Sequence, residues 1–131
     1  MTHYIHELTE LLSTITALRG ENGCPWDKRQ TPSSLLKHFK SECQELDDAV
    51  RNDDPENVCE ELGDLLYIII MITEIHHDHN EFQLSDVIRT VNKKLIRRHP
   101  HVFAGKTYES EEELTTQWNA IKAEEKKKNS L

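Results

Sequence analysis

Apolar residues along the first eighteen positions recur at Ile5, Leu8, Leu11, Leu12, Ile15 and Leu18, the three-and-four spacing of one buried helical face. The pattern stops at Gly20, and residues 20–27 (Gly-Glu-Asn-Gly-Cys-Pro-Trp-Asp) read as an ordered loop. Thr31-Pro32 then supplies an N-cap with proline at the first helical position, predicting a second helix to about Asn52. Asp53-Asp54-Pro55 is the clearest break in the chain, with Asp54 capping and Pro55 opening a third helix. That helix carries Val58, Leu62, Leu65 and Leu66, then becomes apolar all round through Ile72. Such a helix is central in its bundle or shared with another subunit, and a chain of 131 residues favours a dimer interface.

A polar turn is expected over His76–Glu81, followed by a fourth helix capped by Ser85 or Asp86 and ending before Pro100. Ser110 with Glu113 forms a capping box for a fifth helix through Leu114, Trp118 and Ile121. The charged tail from Glu124 to Leu131 is expected to fray. No repeat or linker divides the sequence, so the expectation is a single all-α domain over residues 1–131, a four- to five-helix bundle.

Composition narrows the function. A net charge of −8 argues against a general nucleic-acid binder, which needs a basic surplus for the phosphate backbone. An acidic protein still binds anionic nucleotides where a divalent cation intervenes and its few cations converge. Cys24, Cys43 and Cys59 are odd in number and lack zinc or redox spacing, so reduced thiols in a cytoplasm are expected. Met1-Thr2-His3-Tyr4 does not read as a signal peptide. The longest apolar run, Leu65 to Ile72, is far short of a membrane span, and no membrane partner is expected.

Chemistry concentrates in two carboxylate pairs. Glu42 and Glu45 are three apart, as are Glu61 and Asp64, so each pair shares a helical face. The midpoints of 42 and 64 and of 45 and 61 both fall at 53. A reversal there puts all four acids at matching heights on antiparallel helices, roughly 12–17 Å from the turn. Four acids at one level repel unless a cation sits among them, and oxygen-only ligands select a hard ion such as Mg²⁺, or Mn²⁺ in the same role. The competing reading is solvated acids on helical faces, since the chain holds 24 acidic residues. Glu60 adds a further acid beside Glu61. Lys94 and Arg98, four apart near the end of the fourth helix, read either as ordinary helix C-terminal charge or as a phosphate clamp. His76, His77 and His79, and His99 and His101, lack the spacing of a zinc site, and Trp26 reads first as a loop anchor.

Four segments together resemble the MazG family of all-α nucleoside triphosphate pyrophosphohydrolases. They are Gly23-Cys24-Pro25-Trp26-Asp27, Ser41-Glu42-Cys43-Gln44-Glu45, Glu60-Glu61-Leu62-Gly63-Asp64-Leu65-Leu66, and residues 94–103 from Lys94 to Phe103. The resemblance spans about Leu8 to Lys122. It implies hydrolysis of an NTP or dNTP to monophosphate and pyrophosphate and metal ligands at Glu42, Glu45, Glu61 and Asp64, a set in which Glu42 or Glu45 is our own catalytic candidate, the acid expected to orient the attacking water. It also implies substrate contacts at Lys94, Arg98 and Trp118, and assembly as a homodimer or homotetramer. The family pattern generally opens its first pair with adjacent glutamates, where this chain has Ser41, a departure that bears on catalytic power or metal count. A non-catalytic helical module that binds nucleotide and metal as a sensor is the alternative from another class, and a purely structural bundle is a third.

Overall fold

The computed structural model describes residues 2–129. Its elements are α1 (Thr2–Arg19), α2 (Pro25–Arg29), α3 (Pro32–Arg51), α4 (Pro55–Asp78), α5 (Leu84–Arg98), α6 (Pro100–Phe103) and α7 (Glu111–Asn129), and no strand occurs among the described residues. Five long helices match the expected bundle elements; α2 and α6, single turns opened by Pro25 and Pro100, are additions. Neither has a capping side chain, so the sequence carries no start signal beyond the proline.

The described residues divide into two compact units, a first ending at Leu84 and a second beginning at Ser85. In the first, α3 and α4 form an antiparallel hairpin whose ends are set by local chemistry. The Thr31 hydroxyl accepts from the Ser34 amide at 3.1 Å while the Ser34 hydroxyl accepts from the Thr31 amide at 2.9 Å, a reciprocal capping box. At the other end of α3, the Asp53 amide donates to Val50 and the Asp54 amide to Ala49, and Asp53 takes the left-handed conformation (φ 49°). This is a Schellman close, so the chain turns sharply before Asp54 caps α4 through the Asn57 amide. Asn80 (φ 58°) closes α4 in the same way.

α4 runs six residues beyond Ile72, so His76 and His77 are helical and the polar turn follows them. Ile15 of α1, Leu35 of α3, and Ile68, Ile70, Met71 and Ile75 of α4 form the buried core. Much of the apolar run on α4 is therefore used inside the unit. Leu62, Leu66 and Ile69 remain exposed on its outer side. No helix of the described residues is long and apolar enough to cross a membrane.

In the second unit α7 continues to Asn129, so the expected fraying of residues 124–129 is corrected; 130 and 131 lie outside the described residues. Glu111, Glu112 and Glu113 in its first turn and Lys126, Lys127 and Lys128 in its last complement the helix dipole. The expected cap is half present. The Ser110 hydroxyl accepts from the Glu113 amide at 3.2 Å, but the Glu113 carboxylate reaches the Glu109 amide rather than that of Ser110. α5 begins at Leu84, ahead of the expected Ser85 or Asp86 cap.

Candidate active site

The sharp turn at Asp53 places the two carboxylate pairs opposite each other on α3 and α4. One oxygen each from Glu42, Glu45, Glu61 and Asp64 lies within 4.8 Å of the others. Glu61 is buried, Glu42 half-buried, and Glu45 and Asp64 exposed, so the group has a closed back and an open mouth. The burial follows from helical phase: Glu61 stands one turn before Leu65, and both face the α3–α4 seam.

Glu42 Oε2 and Glu61 Oε2 are buried and take no hydrogen bond among the described residues. Two orphaned acceptors at one spot are unusual in a folded protein, and either a shared proton or a ligand that supplies positive charge would satisfy them. Electrostatics point the same way. Burial, then the neighbouring Glu61 and Glu45 carboxyls and the charges of Glu45 and Asp64, push the Glu42 carboxyl up to about 8. Contact with Glu42 lowers the proton affinity of Glu61, but burial and the charges of Glu45 and Asp64 outweigh it and raise it on balance. Without a cation the group holds a proton instead. Oxygen-only donors, several of them carboxylate, suit a hard divalent ion. Glu60 and Ser41 are exposed and stand outside this group.

The short helix α2, ahead of α3, is fixed by a buried polar contact that the sequence does not signal. Asp27 is buried and accepts a hydrogen bond from the Tyr67 hydroxyl of α4, while Arg19 donates to the Asp27 carbonyl at 3.1 Å. Burial and this Asp27 contact push the Tyr67 hydroxyl well above its ordinary range. Trp26 packs against the core, as a loop anchor should, and its ring meets His38 edge-on at 5.3 Å.

Lys94, Arg98 and Trp118 belong to the second unit. The Arg98 guanidinium lies 5.2 Å from the Trp118 ring centroid, and its Nε donates to Glu125 at 2.9 Å. Lys94 and Arg98 line a cleft of about 790 Å³ between α5 and α7, of which seven lining side chains are lysine or arginine and two glutamate. Lys94 and Arg98 thus sit in a cationic cleft, and Glu125, absent from the sequence expectations, pairs with Arg98 there. Its only signal is its place seven after Trp118, on the same face of α7.

Among the described residues, the histidines at 76, 77, 79, 99 and 101 join no group with metal-ligand proximity. His76 pairs with Glu81 at 3.3 Å and stacks on Phe82, and His79 contacts the Ile75 carbonyl. His99 lies against Trp118 and His101 against Tyr108. Among the described residues one other group has metal-ligand proximity, His6, Glu7 and Glu10, all exposed on α1. His6 and Glu10 there form an ordinary pair one helical turn apart.

Known proteins share this fold. A crystal structure of a MazG-related protein from Thermotoga maritima superposes with a TM-score of 0.72 at 30% identity, covering 88% of this chain and 98% of that one. The Thermotoga maritima protein named nucleoside triphosphate pyrophosphohydrolase/pyrophosphatase MazG is 43% identical over 122 residues, 91% of this chain and 45% of that protein. The Escherichia coli K12 nucleoside triphosphate pyrophosphohydrolase is 36% identical over 123 residues, 93% of this chain and 47% of that protein. A Bacillus subtilis protein, YabN, is 41% identical over 92% of this chain and 25% of its own length. The chain thus spans half or less of the curated relatives it matches. The family model for the MazG nucleotide pyrophosphohydrolase domain matches residues 30–103, which hold both carboxylate pairs, and the chain belongs to the MazG family.

Proposed function

We propose that this protein is a Mg²⁺-dependent nucleoside triphosphate pyrophosphohydrolase, cleaving an NTP or dNTP at the α-phosphorus to the monophosphate and pyrophosphate, with residues 1–131 acting as one MazG-like domain. The observation that carries the reading is the convergence of Glu42, Glu45, Glu61 and Asp64 with two orphaned buried oxygens among them. Those four residues would hold the cation. When bound, a divalent ion supplies Lewis-acid polarisation of the phosphate and neutralises charge on the leaving group. Glu42 or Glu45 orients the attacking water and takes its proton at a carboxylate oxygen as the bond to the α-phosphorus forms. The α–β anhydride bond breaks, and pyrophosphate departs with the electron pair. Lys94 and Arg98 contact phosphate oxygens, a role the chemistry of their cationic cleft supports, and Trp118 meets the base or ribose.

Exposed Leu62, Leu66 and Ile69 on α4, with Ile88, Val91 and Leu95 on α5, support assembly as a homodimer or homotetramer. Three free cysteines agree with a reducing cytoplasm. The test is pyrophosphate release over a panel of canonical and damaged NTPs and dNTPs, with Mg²⁺ and with chelator. Metal-dependent release that Glu42→Ala abolishes is expected; absence of pyrophosphate from every nucleotide, with Mg²⁺ present and the fold intact, refutes the assignment.

A further inference from the structure

The cationic cleft between α5 and α7 contains a half-buried carboxylate. Arg98 has only 16% of its side chain exposed and Glu125 17%, against 52% for Arg97. Glu125 divides its two oxygens: Oε1 accepts from Arg98 Nε at 2.9 Å, and Oε2 accepts from Arg97, including its Nε at 3.0 Å. The paired arginines hold the Glu125 carboxyl below the usual range, so it stays charged.

The grip on Arg98 is at its inner nitrogen. Arginine offers five N–H donors, one on Nε and four on the two Nη atoms, so a carboxylate held on Nε alone leaves the Nη donors for another partner. Here Nε alone faces Glu125, the guanidinium lies 5.2 Å from the Trp118 centroid, and among the described residues neither Nη of Arg98 has a carboxylate partner. One end of the group is fixed by a hydrogen bond and its carbon is placed near an aromatic ring, which leaves the outer donors for a second ligand. Lys94 stands one turn earlier on the same face of α5 and lines the same cleft. An acid among so many cations weakens the cleft's field for anions, so its presence needs a reason other than charge.

We propose that Glu125 is a positioning residue for Arg98: it locks the Nε end beside Trp118 so that the Nη donors present to phosphate oxygens of the substrate. This rests on the reading that Arg98 binds substrate phosphate, and it adds the residue that aims it. Preorganisation of this kind acts on ligand affinity more than on the chemical step.

The experiment compares wild type, E125Q, E125D, R98A and the E125Q/R98A double variant. Readouts are KM and kcat for a nucleoside triphosphate, the Kd for inorganic tripolyphosphate by calorimetry, and thermal melts to confirm folding. E125Q should raise KM and the tripolyphosphate Kd about tenfold with kcat within about twofold, and add little when Arg98 is already absent. E125D keeps the charge but loses reach, so it should resemble E125Q. A lower Kd in E125Q makes Glu125 a competitor for the cleft and overturns the proposal. So does a wild-type-like E125D, or an E125Q effect that persists in full in the R98A background. If R98A itself leaves both constants unchanged, the underlying reading of Arg98 falls first, and that outcome is distinct from a failure of Glu125 alone. Should E125Q not fold, E125D and its double variant with R98A carry the same comparison.

Discussion

Stripping divalent cations from this protein should make its stability fall as pH rises, the reverse of ordinary carboxylate behaviour. The Glu42 carboxyl stands at about 8, against 4.5 for an unperturbed glutamate, because burial and three neighbouring acids disfavour its charge. Unfolding returns it to the ordinary value. Between those limits the native state holds a proton that the unfolded chain has released, so stability is full below about pH 4.5, declines through the window, and levels above about 8. The whole shift corresponds to a ceiling of about 5 kcal/mol. Water reaches the mouth of the group, where Glu45 and Asp64 are exposed, and screening reduces this to about 2 kcal/mol. For a chain of this size that is a drop in Tm of roughly 6–10 °C. The assay is a series of thermal melts in chelator from pH 5 to 8.5, repeated with saturating Mg²⁺. Bound cation displaces the proton, and at a hundredfold excess over its Kd it adds about 2.7 kcal/mol, so the alkaline loss should disappear. Other groups titrate over this range, and Glu42→Gln isolates the one in question. Without metal it should flatten the slope and melt above wild type at pH 8.5. A metal-free Tm that is constant or rises between pH 5 and 8.5, or a Glu42→Gln variant with the wild-type slope, refutes the reasoning.

Three further outcomes follow from single contacts. Gly63 lies mid-helix on α4, and an added Cβ meets nothing within 4 Å, so Gly63→Ala should raise stability by about 0.5–1 kcal/mol; a lower melting temperature contradicts this. Gly23 is the opposite case. A Cβ there falls 2.1 Å from the Leu18 carbonyl oxygen and 2.6 Å from that of Ala17, so Gly23→Ala should cost about 2–3 kcal/mol by urea titration, and a silent substitution shows the loop is built otherwise. Tyr67→Phe strips the buried Asp27 carboxylate of its hydroxyl donor and should cost about 1–3 kcal/mol, visible as a lower urea midpoint with unchanged m-value.

Where the determinants are close in sequence, the reading from residues alone reached the structure. Thr31-Pro32 and Asp54-Pro55 each start a helix as expected, because capping and proline at the first position act within four residues. What that reading left open was how sharply the chain reverses between them. A residue with a side chain is seldom left-handed, yet Asp53 is, and the two Schellman hydrogen bonds explain why this turn needs no glycine. α4 and α7 both run further than the residue pattern suggests, for different reasons. Histidines at 76 and 77 look like loop, but the core contact of Ile75 holds that turn helical. The lysines at 126–128 look like a solvated tail, but they stand where the α7 dipole favours positive charge.

The same contrast of range explains why the acids were legible and the cation clamp only half so. Glu42, Glu45, Glu61 and Asp64 sit on two helices joined by one turn, so their symmetry about position 53 is close to a geometric statement, and one oxygen from each meets within 4.8 Å. Burial adds what the pattern lacked. Two of the eight carboxylate oxygens lack a hydrogen bond among the described residues, which fits a ligand site better than solvated acids on a helix face. Arg98 had no comparable signature, because Lys94 and Arg98 near a helix C-terminus are favourable whether or not they bind anything. Its partner Glu125 lies 27 residues on, between Glu124 and three lysines, a charged stretch that gives no sign of an acid turned inward. A half-buried carboxylate on the inner nitrogen of an arginine is a long-range arrangement that stabilising a helix end does not require. That arrangement, more than the positive charge itself, distinguishes a clamp from a cap, and the Glu125 variants test the distinction directly.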